Sequence, residues 1–210
     1  MMIQIFISGG PVMYVLLFLS LVSLTIVVER FMYFRKNRVN EDLLLSRLKS
    51  TMEKGHYEEA LAICDAQPSP ITNLMKVGIS LRDQPVSVVR DMVMDTANQE
   101  IPKMEQYITT LGTISTIAPL LGLFGTVQGI IMAFNVLNQL AGVGDPAALA
   151  GGIGTALITT AAGIIVAVPA TIFYNYLTNK VNHSIIRLEN RVNELVLYLD
   201  KARRPQGGTQ

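Results

Sequence analysis

Two long tracts of this 210-residue chain lack charge almost entirely. Residues 1–28 contain no Lys, Arg, Asp, Glu or His, and between Gln106 and Asn179 the only formal charge is that of Asp145. A helix needs roughly 20 apolar residues to cross a bilayer, so the first tract has room for one span and the second for two. The sequence therefore predicts a membrane protein with three transmembrane helices, with Asp145 in the loop between the last two.

Residues that support enzymatic or metal chemistry are also scarce. The single cysteine, Cys64, has no partner for an internal disulfide, and neither it nor His56 and His183 stand at metal-ligand spacing. The stretch Gly122 to Thr126 lacks the spacing and the lysine of a phosphate-binding loop. No nucleophile–base pair or carboxylate pair is apparent. We therefore predict no metal, no cofactor, no nucleic-acid partner and no catalytic residue, so any work done here draws its energy from elsewhere.

The distribution of charge divides the chain into segments of an all-α membrane protein. Residues between Glu29 and Glu105 include eleven basic and twelve acidic side chains, mixed rather than blocked, which indicates a solvated helical surface. The predicted segments are a first span within 1–34, a soluble helical region 35–105, a second span 106–137, a loop 138–149, a third span 150–178, and a polar helix with a tail 179–210.

Basic residues predict the orientation of these segments. Arg30, Arg35, Lys36 and Arg38 directly follow the first apolar run, and basic clusters mark the cytoplasmic ends of spans. We expect the N-terminus and residues 138–149 in the periplasm of a bacterial inner membrane, with 35–105 and the C-terminal helix in the cytoplasm.

The second and third spans are expected to extend into the cytoplasmic region. Nothing clearly stops a helix from Val86 to about Asn138, although Pro102 and Pro119 should kink it. After the third span, apolar residues continue at four-three spacing from Val181, which predicts a helix packed on neighbouring cytoplasmic helices.

Charged residues at the ends of the spans are interpreted as anchors. Glu29 and Glu105 stand beside Arg30 and Lys103, and ion pairs of this kind commonly fix a helix at the membrane surface.

One face of each of the last two spans carries small residues. Residues at alternating three- and four-residue steps share a helix face. The stripe of the second span comprises Gly112, Ser115, Pro119, Gly122, Thr126, Gly129 and Ala133, and that of the third comprises Gly152, Ala156, Thr160, Gly163, Ala167 and Thr171.

Each stripe contains a threonine at membrane depth, Thr126 and Thr160. Small residues allow helices to approach closely, so the stripes suit two helices packed face to face. They suit equally a narrow passage around another helix, lined by hydroxyls and water. On this pattern Thr159 lies beside the stripe and Leu121 faces lipid.

These spans resemble the bacterial family that contains ExbB, TolQ and, more distantly, MotA. The matching runs are APLLGLFGTVQG at 118–129 and IGTALITTAAG at 153–163, and the second run continues through 166–170 to Tyr174 and Asn175. Three spans with most soluble mass inside are typical of ExbB and TolQ, since MotA has four.

The resemblance implies a proton-channel subunit that uses the proton motive force. Members form homo-pentamers around two copies of a single-span partner, ExbD or TolR, whose helix carries one aspartate, and they deliver work to TonB or TolA. By the same likeness Thr126 and Thr160 line the pore. Many relatives have a glutamate where this chain has Thr155, so the role of that acid does not transfer here.

The residues themselves add a constraint. No Asp or Glu lies within the predicted spans, and threonine does not titrate at physiological pH, so a conducted proton needs a carboxylate from a partner. A secondary transporter is less well supported, because three spans are few for enclosing a solute. A scaffold whose stripes only pack helices is the other alternative. Sequence does not separate an ExbB-like from a TolQ-like or motility subunit, nor protons from sodium ions.

Overall fold

A computed structural model describes residues 10–139 and 146–203 of the chain. The central part of the predicted loop, with Asp145, and the end of the predicted C-terminal tail lie outside the described residues. Those described form only helices and their connections. The helices are α1 (Gly10–Lys36), α2 (Glu41–Glu53), α3 (Tyr57–Ala66), α4 (Pro70–Ser80), α5 (Val86–Glu105), α6 (Ile108–Gln139) and α7 (Pro146–Arg203).

The helices belong to two compact units. One, here called the apolar unit, comprises residues 1–30 and 107–178, and the other, the polar unit, comprises 31–106 and 179–210. Three of the described helices are long and apolar enough to cross a membrane. The predicted fold class, an all-α membrane protein with three spans, is confirmed.

The apolar unit has a small core where its three helices meet. Val12, Met13 and Leu16 of α1 are buried against Ala118 of α6 and Ala167 of α7. Large apolar side chains elsewhere on these helices point outward, and lipid solvates them without cost because its tails are equally apolar. The most exposed are Phe18, Ile165 and Ile172.

The polar unit is built on helices whose ends the sequence marks. Gly55, between α2 and α3, adopts φ +78°, a left-handed conformation that glycine adopts readily. Ser69 accepts a hydrogen bond from the Thr72 backbone N–H, and the Thr72 hydroxyl accepts one from the Ser69 N–H, which forms a capping box. A glycine and a capping box therefore mark the limits of these short helices.

The polar part of α7 packs on other helices of its own unit. Val181, Leu188, Val192, Leu195 and Leu199 of the four-three pattern are buried. Leu195 lies so close to Gly78 of α4 that a Cβ built there would stand within 2.4 Å of the leucine Cδ2. The partners of the predicted seam therefore come from the same chain.

An ion-pair network joins α7 to α2 in this unit. The Lys49 ammonium donates to Glu194 at 2.5 Å, and Arg191 donates to Glu194 at 3.0 Å and to Asp42 at 2.7 Å. Hydrogen bonds from Lys49 and Arg191 lower the pKa of the Glu194 carboxyl below its ordinary value.

The expectation of one helix from Val86 to Asn138 is wrong in detail. The helix ends at Glu105 and restarts at Ile108, whereas Pro102 and Pro119 both lie inside helices. Tyr107 causes the break, because its φ of +63° is left-handed and incompatible with a continuing right-handed helix. Glutamine and tyrosine are not residue types that typically end a helix, so the sequence gives no signal for a break at Gln106 and Tyr107.

Arg30 is buried at the end of the α1 segment in the apolar unit. Its side chain is 1% exposed, and its Nη2 donates to Glu29 at 2.6 Å. The guanidinium also lies 5.7 Å from the centroid of the Tyr107 ring, within range of a cation–π contact. The predicted Glu29–Arg30 pair is therefore present, whereas Lys103 pairs with Glu100 at 2.8 Å.

Candidate functional site

The close approach of α6 and α7 depends on glycines in both small-residue stripes. A Cβ built at Gly122 would stand 3.0 Å from the Thr160 Cα, and one at Gly163 would stand 2.6 Å from the Ala118 carbonyl oxygen. These contacts are with backbone atoms, which cannot rotate away. Any larger side chain at either position would force the helices apart.

The same stripes remain in contact along most of their length. A Cβ at Gly129 would meet that of Ala156 at 2.8 Å, and one at Gly152 would meet that of Ala133 at 2.8 Å. At the other end Gly112 faces Tyr174, whose ring carbon Cε2 would lie 2.8 Å from an added Cβ. Most of the stripe residues predicted from sequence thus meet each other within one chain.

Thr126 and Thr160 lie together in this contact. The Thr126 hydroxyl donates to the Ala156 carbonyl oxygen at 3.0 Å, and the Thr160 hydroxyl donates to the Gly122 carbonyl oxygen at 3.1 Å. The two hydroxyls are also within hydrogen-bonding distance of each other. Both side chains are half-buried, so the pair forms one continuous polar patch at a partly accessible edge of the interface.

The remaining stripe residues open onto a groove of about 310 Å³. The Ser115 hydroxyl donates to the Gly112 carbonyl at 2.7 Å, and that of Thr171 to the Ala167 carbonyl at 2.9 Å. Each hydroxyl is thus turned along its own helix, which leaves a weakly polar wall. The groove is lined by Ser115, Pro119, Ala167 and Thr171 together with Ile164, Val168 and Ile172.

Two interface residues were missed by the sequence pattern. Thr159 is 1% exposed, and its Cγ2 would stand 2.4 Å from a Cβ at Gly125. Its position beside the predicted stripe therefore does not place it outside the interface. The signal was present, because Gly125 lies three residues after Gly122 and four before Gly129.

Leu121 is also placed differently from the expectation that it faces lipid. It is half-buried and packs on the cluster of Val12, Met13 and Leu16 from α1. Leu120, with 60% exposure, is the outward-facing leucine of this turn.

Ionisable groups are scarce around the threonine pair. Thr155 is half-buried, and its carbonyl oxygen accepts from the Thr159 hydroxyl at 3.2 Å. No group of His, Cys, Asp and Glu suited to hold a metal ion occurs within the described residues. The patch can exchange hydrogen bonds with water or a neighbouring helix, but it cannot itself take up a proton.

Three helices suited to a membrane, with a glycine-dependent contact between two of them, define a polytopic helical membrane protein. Comparison with known sequences narrows the class. Residues 66–190 match the MotA/TolQ/ExbB proton channel family. The chain belongs to this family, and the resemblance predicted from the two runs is confirmed.

Individual relatives carry ExbB and TolQ names. A protein of Methanothermobacter thermautotrophicus described as a biopolymer transport ExbB homolog is 32% identical over 89% of this chain, which spans 66% of that relative, just under two thirds. The biopolymer transport protein ExbB of Neisseria meningitidis is 31% identical, with 82% of this chain and 85% of the relative covered. The Tol-Pal system protein TolQ of Haemophilus influenzae is 39% identical over 48% of this chain and 45% of its own length.

Proposed function

We propose that this chain is the proton-channel subunit of an ExbB-type complex in the bacterial inner membrane. Five copies would surround two copies of a single-span ExbD- or TolR-like partner that carries a membrane aspartate. The complex would use the proton motive force to energise TonB-dependent transport at the outer membrane. A TolQ-like subunit acting through a TolA-like protein, or a motility relative, is the alternative within the family.

The observation that carries the proposal is the paired position of Thr126 and Thr160. Their hydroxyls and the carbonyl oxygens of Gly122 and Ala156 form a connected polar patch in an otherwise apolar unit. Such a patch can form hydrogen bonds with water or with a carboxylic acid, and it carries no fixed charge that would trap an ion.

The titrating group in this proposal belongs to the partner. The apolar run of each span contains no acid, and threonine does not ionise at physiological pH. A partner aspartate that passes Thr126 and Thr160 would take up and release the proton, while this chain supplies a hydrogen-bonded wall.

A non-conducting scaffold is the second candidate, and one observation favours it. The threonine hydroxyls already have acceptors within the chain, the Ala156 and Gly122 carbonyl oxygens. Hydroxyls satisfied in this way can serve packing alone, at about 0.6 kcal/mol each across a membrane interface.

Co-purification with a candidate single-span partner tests the assembly proposed here. The full-length chain is expressed with that partner, and the mass of the purified complex is measured in detergent. We expect five copies of this chain with two of the partner, and replacement of the partner's membrane aspartate by asparagine should abolish proton flux without changing the mass. A purified chain that never retains the partner would contradict the proposal and favour the scaffold.

A further inference from the structure

A cavity of about 460 Å³ lies in the polar unit where α1 ends and α2 begins. Three cationic side chains line it, those of Lys36, Arg38 and Arg47, and no lining residue is acidic. Apolar side chains of Leu43, Leu44 and Ile63 complete the wall. A cavity with three positive charges and an apolar wall is suited to an amphipathic anion.

These cations are not neutralised by the protein. Within the described part of the chain, none of Lys36, Arg38 and Arg47 forms an ion pair or a side-chain hydrogen bond. Six other basic residues of the polar unit have acidic partners, for example Lys49 with Glu194 and Lys76 with Asp65. Three positive charges without a protein counter-charge around one cavity favour a bound anion.

A neighbouring cavity provides a comparison inside the same unit. It has a volume of about 350 Å³ and is lined by Arg38, Lys180 and Arg187, but also by Glu41. Arg187 there lies 3.6 Å from the Glu41 carboxylate and donates to the Ser184 hydroxyl at 3.0 Å, while Lys180 lies 4.8 Å from the Phe34 ring centroid. Two of its three cations, Lys180 and Arg187, are engaged by the protein, so charge complementarity points to the first cavity.

The position of the cavity along the chain indicates the source of the anion. Lys36 follows the first charged residue of α1, Glu29, by seven residues, or about 10 Å of helix. Long basic side chains extend back to the headgroup layer from such positions. Four basic residues, Arg35, Lys36, Arg38 and Arg47, fall within thirteen positions, and basic clusters directly beyond a transmembrane helix bind anionic lipids.

We propose that this cavity binds the phosphodiester headgroup of an anionic membrane phospholipid. The planar guanidinium groups of Arg38 and Arg47 match two phosphate oxygens each, and Lys36 supplies a further charge. The apolar side chain of Leu43, which is 50% exposed, would contact the glycerol and first methylene groups of the lipid. Binding here would fix the end of α1 at the membrane surface, independently of any proton channel.

Lipid titration of the full-length protein in detergent tests this proposal. The probes are dioleoyl phosphatidylglycerol, dioleoyl phosphatidylcholine and free inorganic phosphate, with binding followed by native mass spectrometry. We expect saturable binding of phosphatidylglycerol with at least tenfold preference over phosphatidylcholine. Equal binding of the two lipids would overturn the proposal, and so would displacement of phosphatidylglycerol by millimolar phosphate, since the ligand would then be a free anion.

Matched variants locate the binding site. Arg38→Gln with Arg47→Gln should weaken phosphatidylglycerol binding by about twentyfold, since basic residues at a membrane surface each contribute severalfold. Lys54→Gln with Arg90→Gln removes the same charge from exposed positions outside the cavity and should change binding less than twofold. Equal losses in both variants would overturn the assignment.

A charge-preserving variant covers the case in which the glutamine variant is unstable. Arg38→Lys with Arg47→Lys retains the positive charge but loses the two-pronged geometry, so it should keep the lipid preference with a severalfold weaker affinity. Loss of the preference for phosphatidylglycerol in this folded variant would contradict an electrostatic headgroup site.

Discussion

Thr126 and Thr160, thirty-four residues apart in sequence, place their hydroxyls within hydrogen-bonding distance of each other across α6 and α7. Each hydroxyl also lies within donating distance of a carbonyl oxygen of the opposite helix, at 3.0 Å and 3.1 Å. The two helices are thus joined by reciprocal polar contacts in the middle of a glycine-dependent interface.

The glycines of the interface should tolerate no larger side chain. Gly163→Leu and Gly122→Leu should destabilise the chain by about 1–3 kcal/mol or prevent its assembly, because the added atoms meet backbone of the facing helix. The measurement is the thermal midpoint and monodispersity of each variant in detergent.

Gly154→Leu is the matched control for these variants. Gly154 lies on α7, the helix of Gly163, and a Cβ built at Gly154 has no neighbour within 4 Å. This variant should behave like the parent protein, and equal damage from all three substitutions would show that the stripe has no special packing role.

Thiol chemistry should distinguish Cys64 from an exposed cysteine. The side chain is 3% exposed, and burial, followed by the nearby Asp65 charge, raises the pKa of the Cys64 thiol to about 11. Because only the thiolate reacts, alkylation at pH 8 should be at least about a hundredfold slower than for an ordinary thiol of pKa near 8.5.

The comparison thiol is Ser50→Cys in a Cys64→Ser background, since Ser50 is exposed in the same unit. Maleimide labelling rates of the two proteins are measured under native conditions and again in denaturant, where both should react alike. Rapid native labelling of Cys64 would contradict its burial.

The carboxyl of Glu194 should make the polar unit sensitive to acid. Its pKa is lowered by hydrogen bonds from Lys49 and then Arg191, so its contribution to the free energy of unfolding is present above the unfolded pKa of about 4.3. That contribution is lost as the pH falls through the lower folded pKa. The side chain is 37% exposed, so solvent screening keeps the effect near or below about 1 kcal/mol.

Glu194→Gln should therefore reduce stability at pH 7 and have little effect below pH 3, as followed by thermal unfolding. Glu189→Gln, an exposed position on the same helix, should have no effect at either pH. A constant difference between Glu194→Gln and the parent at all pH values would contradict the ion-pair account.

The orientation of the chain in the membrane can be tested by labelling single cysteines on its two predicted sides. Basic residues beyond the first span predict that residues 35–105 are cytoplasmic and the 138–149 loop periplasmic. An impermeant thiol reagent added outside spheroplasts should label Val143→Cys but not Ser50→Cys, both in the Cys64→Ser background. Labelling of Ser50→Cys without permeabilisation would overturn this topology.

The charge pattern and helical periodicity predict the fold because they show which segments and helix faces are suited to lipid, to water or to a protein core. The uncharged tracts correspond to three helices suited to lipid, and the region of mixed charge corresponds to shorter helices. Tyr107 shows where this reasoning fails. Its left-handed conformation is uncommon for a residue other than glycine, so residue type gives no signal for this helix end.

The candidate site was predictable in part for the same physical reason. A period of 3.6 residues identifies a small-residue face, and the structure brings Thr126 and Thr160 together on it. The period does not identify which residues of another helix contact that face. The spacing of Gly125 marks one half of its contact with Thr159, but no single-helix pattern names the residue of the facing helix that fills it.

Proton flux through the complex reconstituted with its single-span partner is the most direct test of the central claim. The variants are Thr126→Val and Thr160→Val, each nearly isosteric, with Thr116→Val as a control because its exposed hydroxyl bonds only to its own helix. We predict that both interface variants assemble with parental stoichiometry but lose flux, that Thr160→Ser retains part of it, and that Thr116→Val is unaffected. Full flux in both valine variants would contradict the account and leave the threonine pair as a packing contact.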